Sequence, residues 1–373
     1  MIRNALLLRD RGRGWTFIRS SGYISSMEFR YSTYRIHLQH RFTIARSSHD
    51  YYDIVLVYLT DGGTTGMGEA APSERYDESF EGVLEIVRDF TMDESVTSDS
   101  LDEMLDGILS RCHGCRSLEA AFDMALHDLW GKRNGESLGK RFGGRAKKGP
   151  ATSLTIGLDR LDVVRKKVSE AGEFPVLKVK LGGEQDRELI ETVREITDKP
   201  LRVDANEGWE LEEAVDMCQW LATQNVEFVE QPLPAGRLDD TARLKEVSPL
   251  KLIADENCLD SSDIPLIAHA FHGINIKLMK CGGLREGLRM IQVAREKGLE
   301  VMIGCMVETS LAITAASYLA GQADYVDLDG NLLIKNDPFR GVVTRQGKLS
   351  LPSGAGLGVH LRKRTADPVP MTV

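Results

Sequence analysis

Short runs of hydrophobic residues recur along the second half of the chain, and each run ends near a charged residue. In the run Leu177–Leu181, Lys178 and Lys180 alternate with apolar residues, so in a strand both lysines point to one face. The charged residues of successive runs are 24, 26, 25 and 22 positions apart, in the order Lys180, Asp204, Glu230, Asp255 and Lys277. A solvated face would explain two lysines, but this recurrence favours a repeated structural unit.

Helical patterns lie between these runs, for example over residues 211–221 and 284–294. One strand and one helix in each unit of about 25 residues is typical of a parallel βα array. With residues 152–157 as the first strand, the pattern predicts eight strands and a (β/α)8-type barrel. The carboxyl ends of such strands face one mouth, so the charged residues there are candidate catalytic residues.

The first part of the chain has a different order of elements. Residues 27 to about 70 have strand patterns, with a hairpin turn at Asp61-Gly62-Gly63, and residues 80 to about 140 have helical periodicity. This order predicts an α+β domain ahead of the barrel, with a boundary near residues 145–150. Residues 40–48 are expected to form a polar loop whose Arg46 is a surface charge unless the loop closes over a site.

Composition and charge exclude several classes of protein. The net charge of −9 disfavours nucleic-acid and acidic-membrane partners, and no run approaches the ~18 apolar residues of a membrane-spanning helix. The six cysteines lie mostly in predicted strands and helices, so we expect reduced thiols in a cytoplasmic protein, and a lone C-x-x-C at residues 112–115 does not predict zinc. Residues 1–26 are arginine-rich, and we expect them to be a disordered extension.

Three carboxylates, those of Asp204, Glu230 and Asp255, end consecutive strands of the predicted barrel. Acids that converge on one mouth repel one another unless a cation neutralises them. Carboxylate oxygens are ligands that suit Mg²⁺, with Mn²⁺ as an alternative. The sequence therefore predicts a divalent metal site.

Two lysines flank these acids, because Lys180 lies one strand before them and Lys277 one strand after them. A lysine acts as a base near neutral pH only if burial or a neighbouring cation lowers its pKa, and Lys178 and the metal would supply that cation. Two bases on opposite faces of one carbon allow a proton to leave from one side and return on the other, which inverts a carbon α to a carbonyl. Lys280 is an alternative to Lys277, but Lys277 lies within the apolar part of its strand.

Together these motifs resemble the enolase superfamily, specifically its muconate-lactonizing subgroup. The resemblance rests on five segments: Lys178-Val179-Lys180, Asp204-Ala205-Asn206, Glu230-Gln231-Pro232, Asp255-Glu256-Asn257 and residues 277–283. It implies a modified (β/α)7β barrel at residues 149–344 and a capping domain at residues 27–148 that residues 345–373 complete. It also implies lysine bases, an enediolate and one Mg²⁺ per subunit.

The last two strands resemble the dipeptide epimerases of that subgroup. The resemblance assigns Asp327 and Asp329 to the substrate's α-ammonium group, whereas a purely structural role would be to cap the turn before Gly330. Arg46 falls where epimerases acting on Ala-Glu keep an arginine for the carboxylate of the terminal residue, and Arg75 and Tyr76 are further candidates on a second capping loop. The remaining implied residues are Thr155, Lys178, Cys305 and Val307 as substrate contacts, with Asn206, Glu256 and Lys280 in support.

We therefore expect a Mg²⁺-dependent epimerase that inverts the second residue of an L,L-dipeptide such as L-Ala-L-Glu. The alternatives within the subgroup are N-acylamino acid racemase, o-succinylbenzoate synthase and muconate cycloisomerase, whose substrates lack the free α-ammonium group that Asp327 and Asp329 suit. A non-catalytic binding barrel would have lost a base or a metal ligand, and none is missing. The expected partners are the dipeptide and further copies of the chain in a homo-oligomer.

Overall fold

The computed structural model describes residues 27–92, 100–142 and 149–362. The extension predicted at residues 1–26 and most of the boundary predicted at residues 145–150 lie outside these ranges. The described chain forms an N-terminal α+β domain and a barrel, as the order of elements predicts.

The N-terminal domain begins with an antiparallel sheet in which neighbouring strands follow one another along the chain. Its strands are β1 (Glu28–Ile44), β2 (Ser47–Asp61) and β3 (Thr64–Ala70). A short 3-10 helix at Glu74–Tyr76 follows, and then the helices α1 (Phe80–Asp89), α2 (Leu101–Leu109), α3 (Arg116–Asn134) and α4 (Leu138–Arg141). The predicted turn at Gly62 and Gly63 joins β2 to β3, and both glycines adopt the positive φ that such a turn requires.

Strand β3 packs directly on the backbone of helix α3. A Cβ at Gly68 would lie 1.8 Å from the carbonyl oxygen of Ala121, and one at Gly66 would lie 2.0 Å from that of Ala125. Only glycine permits so close an approach. The pair fixes the helix on the sheet, and a core that includes Phe122 fills the space around it.

The prediction of a polar loop at residues 40–48 is wrong. Strand β1 continues to Ile44 and β2 begins at Ser47, so a two-residue turn at Ala45 and Arg46 ends a long hairpin. The ladder continues past an irregularity between His37 and Phe42, although its side chains are polar. Hydrogen bonds to the barrel hold the end of this hairpin, for example from the amide of Leu158 to the carbonyl of Thr43 at 2.9 Å.

Within the described residues, the barrel has eight parallel strands in sequential order. They are β4 (Leu154–Ile156), β5 (Leu177–Lys180), β6 (Leu201–Asp204), β7 (Val226–Glu230), β8 (Lys251–Ala254), β9 (Gly273–Lys277), β10 (Glu300–Gly304) and β11 (Tyr325–Asp327). The helices are α5 (Leu161–Glu170), α6 (Asp186–Arg194), α7 (Leu211–Leu221), α8 (Leu238–Val247), α9 (Ile264–Ile267), α10 (Leu278–Cys281), α11 (Leu284–Glu296) and α12 (Ser310–Ser317).

The last strand closes the barrel on the first through a parallel bridge between Thr152 and Val326. A helical connection follows each of the first seven strands, whereas no α-helix follows β11 in the chain described to residue 362. The (β/α)7β fold that the resemblance implies is confirmed. Among the described helices, none combines the length and apolarity needed to cross a membrane.

The two parts are joined by buried carboxylates of the N-terminal domain that accept hydrogen bonds from the barrel and the C-terminal segment. Asp123 accepts one from the amide of Leu284 at 2.7 Å, and Asp128 accepts one from the amide of Leu357 at 2.8 Å. Leu357 belongs to a glycine-rich segment, residues 354–358, which therefore lies against helix α3. The domain is thus held over the carboxyl ends of the barrel strands.

Two short antiparallel pairs in the C-terminal segment complete the described fold. They are β12 (Phe339–Arg340) with β15 (His360–Leu361), and β13 (Val343–Arg345) with β14 (Lys348–Ser350). Each of the six cysteines is a free thiol.

Candidate active site

A cavity of about 560 Å³ lies where the N-terminal domain meets the carboxyl ends of the barrel strands. Its outer wall comes from Arg46 at the tip of the β1–β2 hairpin and from the 3-10 helix Glu74–Tyr76. Its inner wall contains eight of the side chains predicted from the barrel strands: Thr155, Lys178, Lys180, Lys277, Cys305, Val307, Asp327 and Asp329.

The three predicted metal ligands lie together, in contact with the lysines that line this cavity. Asp204, Glu230 and Asp255 are fully buried, and one carboxylate oxygen from each lies within 4.8 Å of the others. Oε2 of Glu230 has no hydrogen-bond partner among the described residues, although Nζ of Lys178 is 2.7 Å away in an ion-pair contact. Three buried carboxylates with an unused oxygen form a donor set that fits a hard divalent cation.

Burial and the neighbouring lysines give the three acids different pKa values. Burial raises the pKa of Glu230 to about 8, and Asp204 adds to this effect. Burial acts in the same direction on Asp255, but Lys277 and Lys280 more than compensate and hold its pKa well below its ordinary value. Burial also acts to raise the pKa of Asp204, but Lys180 and Lys178 hold it below its ordinary value. Both aspartates therefore stay charged beside these lysines.

Each lysine that lines the cavity contacts at least one of these acids. Lys178 reaches three carboxylates, with Nζ 2.7 Å from Glu230, 2.8 Å from Asp327 and 3.1 Å from Asp204. Lys180 lies 2.6 Å from Asp204, and in the same way Lys277 lies 2.7 Å from Asp255. Burial acts to lower the pKa of Lys277, but Asp255 and Glu230 raise it above its ordinary value.

Lys180 and Lys277 lie on opposite sides of the barrel mouth. They end strands β5 and β9, between which lie β6, β7 and β8 in one direction and β10, β11 and β4 in the other. The acids occupy the first of these arcs. A small molecule seated over the acids therefore has one lysine on each side.

Lys280 does not line the cavity and has a different surrounding from Lys277. Its ammonium group donates to Oδ1 of Asp255 at 2.7 Å and to three backbone carbonyls at 2.6–3.0 Å, those of Asp255, Cys258 and Asn275. Its fully buried nitrogen has four acceptors. Lys280 therefore holds Asp255 in place and is not in a position to exchange a proton with a molecule in the cavity.

Asp327 and Asp329 face the cavity from the end of β11. Asp327 accepts hydrogen bonds from Ser153 at 2.5 Å and from Lys178 at 2.8 Å, and Asp329 accepts one from the amide of Thr155 at 2.6 Å. Burial and the charge of Asp327 raise the pKa of Asp329 to about 7. Asp327 has Lys178 as a positively charged partner, whereas Asp329 accepts from a backbone amide. Two adjacent carboxylates with this arrangement form a site that suits a cationic group.

Two further predicted residues complete the inner wall at β10. Val307 is almost fully buried, and the thiol of Cys305 lies 3.3 Å from the carbonyl oxygen of Asp327. Burial raises the pKa of Cys305 well above its ordinary value, so the side chain is a neutral thiol. The two residues shape the cavity without adding charge.

Arginines from both outer segments are bound to carboxylates of the barrel. Arg46 lies 2.8 Å from Glu256 and donates to the carbonyl oxygen of Asn206 at 3.2 Å. Arg75 donates to both carboxylate oxygens of Glu207 at 2.6 Å, and Arg46 is 3.7 Å from the same carboxylate. The side chains of Asn206 and Glu256, both predicted as supporting residues, are linked by a hydrogen bond of 3.4 Å.

Sequence reasoning missed two residues with clear roles in this arrangement. Glu207 has a positive φ of 69°, a conformation uncommon outside glycine, and this turns its carboxylate towards the outer segments. Asn275 donates to Glu230 at 2.8 Å. The signal for Asn275 was available, because it precedes Lys277 by two positions on the same face of β9; Glu207 gave none, because its partners are distant in sequence.

Known families match both parts of the chain. Residues 30–143 match the family "Mandelate racemase / muconate lactonizing enzyme, N-terminal domain", and residues 160–365 match "Enolase C-terminal domain-like". Together these matches cover nearly all of the described chain.

Individual relatives are similar over most of their length. The chain is 42% identical to an L-Ala-D/L-Glu epimerase of Bacteroides thetaiotaomicron, over 92% of this chain and 90% of that protein. It is 39% identical to an L-Ala-D/L-amino acid epimerase of Pedosphaera parvula, over 91% and 100%. A solved dipeptide epimerase of Enterococcus faecalis, complexed with Mg and L-Leu-L-Tyr, superposes with a TM-score of 0.82 at 30% identity, over 90% of this chain and 99% of that one.

Proposed function

This chain belongs to the mandelate racemase / muconate lactonizing enzyme family of the enolase superfamily, and from that membership we propose that it is a dipeptide epimerase. The substrate is an L,L-dipeptide, and the reaction inverts the α-carbon of its second residue. Epimerases among the relatives support the class of reaction, and the side chains of the cavity support the chemistry.

The observation that carries this proposal is the position of Lys180 and Lys277 on opposite sides of one cavity. The neutral amine of one lysine removes the α-proton, and the ammonium group of the other returns a proton to the opposite face of the carbon. The substrate passes through an enediolate, a dianion that Lys178 stabilises from the same wall. A structure with a single lysine could exchange the proton but not invert the centre.

Asp204, Glu230 and Asp255 would hold the metal of this enzyme, which we propose to be one Mg²⁺ per subunit, with Mn²⁺ as a substitute. When bound, Mg²⁺ supplies positive charge for the carboxylate next to the reacting carbon and offsets the three acids beside the lysines. Oε2 of Glu230, which accepts no hydrogen bond among the described residues, supports this assignment.

Asp327 and Asp329 are proposed to bind the α-ammonium group of the first residue. Both face the cavity, and the buried Asp329 has no positively charged side chain of its own within hydrogen-bonding distance among the described residues. An ammonium group would supply that charge, whereas N-acylamino acids and the substrates of o-succinylbenzoate synthase or muconate cycloisomerase would not. This favours dipeptides over the other substrates of the family.

Arg46 is proposed to face the side chain of the second residue, with L-Ala-L-Glu as the first substrate to test. Thr155, Cys305 and Val307 form the remaining walls. The free thiols support a location in the cytoplasm. The homo-oligomer and the domain limits at residues 148 and 345 stay predictions.

The test is exchange of the α-proton in D₂O, followed by NMR, with and without Mg²⁺. The panel contains L,L-dipeptides with acidic, amide and apolar second residues, together with their N-acetylated forms. We expect exchange and inversion at the second residue of free dipeptides only, and only with the metal. Exchange confined to the N-acetylated forms would contradict the dipeptide assignment, and inversion after thorough chelation would contradict the metal.

A further inference from the structure

Tyr76 is the one residue of the outer wall whose polar atom is both buried and unpaired among the described residues. Its hydroxyl is shielded from solvent, and none of the described groups forms a hydrogen bond with it. The side chain nevertheless lines the cavity. A buried donor without an acceptor is unfavourable, so the arrangement calls for an acceptor that the protein does not itself provide.

The two arginines beside Tyr76 already have acceptors. Arg75 uses two N–H groups on Glu207, and Arg46 uses its two terminal nitrogens on Glu256 and on the carbonyl oxygen of Asn206. Both guanidinium groups are therefore held by carboxylates of the barrel, and the phenol is the buried donor of the outer wall that has no acceptor among the described residues. Burial raises the pKa of Tyr76 well above its ordinary value, with Asp255 and Glu256 adding to the effect, so the group keeps its proton.

Tyr76 lies on the side of the cavity that the proposed reaction leaves for the substrate side chain. The lysines flank the reacting carbon, and Asp327 and Asp329 lie across the inner wall, at the end of the last strand. What remains between the outer segments and the barrel is the space for the second residue of the dipeptide. A hydroxyl donor on a wall that also carries Arg46 and Arg75 suits a carboxylate in that space.

We propose that Tyr76 is a specificity-determining residue whose hydroxyl donates a hydrogen bond to the side-chain carboxylate of the second residue of the dipeptide. The inference rests on the proposed function and narrows the substrate class to dipeptides that end in glutamate or aspartate. Because Arg46 is held by Glu256, discrimination between acidic and apolar side chains depends on Tyr76 as well as on the arginine.

The test compares Tyr76→Phe with the wild type on L-Ala-L-Glu, L-Ala-L-Gln and L-Ala-L-Met, which have second residues of similar length. Loss of a hydrogen bond to a charged acceptor lowers kcat/KM for L-Ala-L-Glu about tenfold to a hundredfold. The loss for L-Ala-L-Gln is smaller, and the value for L-Ala-L-Met changes less than about twofold. Tyr58→Phe is the matched control, since Tyr58 lies in the sheet with its hydroxyl 3.3 Å from Ser32 and outside the cavity.

An equal loss of kcat/KM on all three dipeptides, or no loss on L-Ala-L-Glu, would overturn the role of Tyr76. Wild-type turnover of L-Ala-L-Met with none of L-Ala-L-Glu would also overturn it and would leave the epimerase assignment standing. Wild-type inactivity on every dipeptide, in contrast, would overturn the proposed function and this inference with it. Thermal unfolding of the three proteins verifies that a loss of activity is not a loss of fold.

Discussion

The four lysines that surround the predicted metal ligands differ in the number of groups that contact each ammonium. Lys178 contacts three carboxylates and Lys280 has four oxygen acceptors, whereas Lys180 and Lys277 each contact a single carboxylate. An ammonium with several partners does not give up a proton readily, because each contact favours the charged form. The smaller number of contacts favours Lys180 and Lys277 as the proposed bases over Lys178 and Lys280.

Replacing either base should abolish inversion without removing the metal site. In Lys180→Ala or Lys277→Ala, the three acids remain, and epimerisation is expected to fall by roughly 10³-fold or more, since a positioned base contributes about 10²–10⁴-fold. Isothermal titration with Mg²⁺ measures the first property, and NMR of the dipeptide in D₂O measures the second.

Lys297→Ala serves as the control, because Lys297 is exposed at the end of helix α11. Its replacement removes the same charge at a position outside the cavity. Normal inversion in either variant of the two proposed bases would rule out the two-base mechanism. Loss of Mg²⁺ binding would instead indicate that the lysine supports the acids rather than the proton transfer.

The sequence reveals these residues because charge interrupts hydrophobic runs at regular spacing. Lys180, Asp204 and Glu230 end apolar strands, and the mouth of a parallel barrel brings such ends together. It does not reveal Glu207 or the unpaired hydroxyl of Tyr76. Their importance comes from contacts between segments more than a hundred residues apart, such as Arg75 with Glu207, and from burial that only the assembled domains create.

The same limit appears in the elements. The polarity of residues 40–48 predicted a loop, but the backbone there is a paired hairpin, because ladder hydrogen bonds do not require apolar side chains. This hairpin and the 3-10 helix Glu74–Tyr76 contribute one arginine each to the barrel surface. Glu207 lies within 4 Å of both arginines and thus joins the two outer segments.

Weakening this junction should loosen both outer segments. In Glu207→Gln the bidentate ion pair with Arg75 is lost, because the side-chain amide is uncharged and has one oxygen acceptor in place of two. The remaining oxygen can still accept from the amide of Ala235, which lies 2.8 Å from the carboxylate. We expect KM for the dipeptide to rise about tenfold, as the loss of a bidentate ion pair of this kind suggests. Steady-state kinetics measures this, and limited proteolysis reports cleavage in the hairpin.

Glu210→Gln is a matched control on the same stretch of chain. Glu210 pairs with Arg237 at 2.7 Å, but its side chain is two-thirds exposed, and an exposed pair contributes little. An equal rise of KM in both variants would contradict a specific role for Glu207, as would an unchanged KM in Glu207→Gln.

At the scale of the whole molecule, periodicity predicts the barrel and its order of strands because the unit repeats. The interface between the domains has no such period. It depends on single buried acids, for example Glu69, which accepts hydrogen bonds from the amide of Thr309 at 2.9 Å and from its hydroxyl. In the sequence Glu69 is one more polar residue at the end of a hairpin strand.

Burial gives Glu69 a measurable signature. Burial raises its pKa from 4.5 to about 7, with Asp337 adding to the effect and the hydrogen bonds from Thr309 opposing it. In this range the folded protein binds more protons at Glu69 than the unfolded chain does. The stability of the folded state therefore falls as the pH rises from 4.5 to about 7, and the contribution is constant above that range.

Glu69→Gln removes this titration and keeps the size of the side chain. Relative to the wild type, the variant should gain stability between about pH 5 and about pH 8, by on the order of 3 kcal/mol, as measured by urea unfolding with Mg²⁺ present. Any loss of hydrogen bonding to Thr309 changes the free energy of unfolding equally at both pH values. The difference between the two pH values therefore reports the titration of the carboxyl group alone. Glu81→Gln, at an exposed position in helix α1, should show no such change. If the difference between wild type and Glu69→Gln is the same at both pH values, Glu69 is ionised throughout, and the domain interface carries a buried charge instead of a neutral acid.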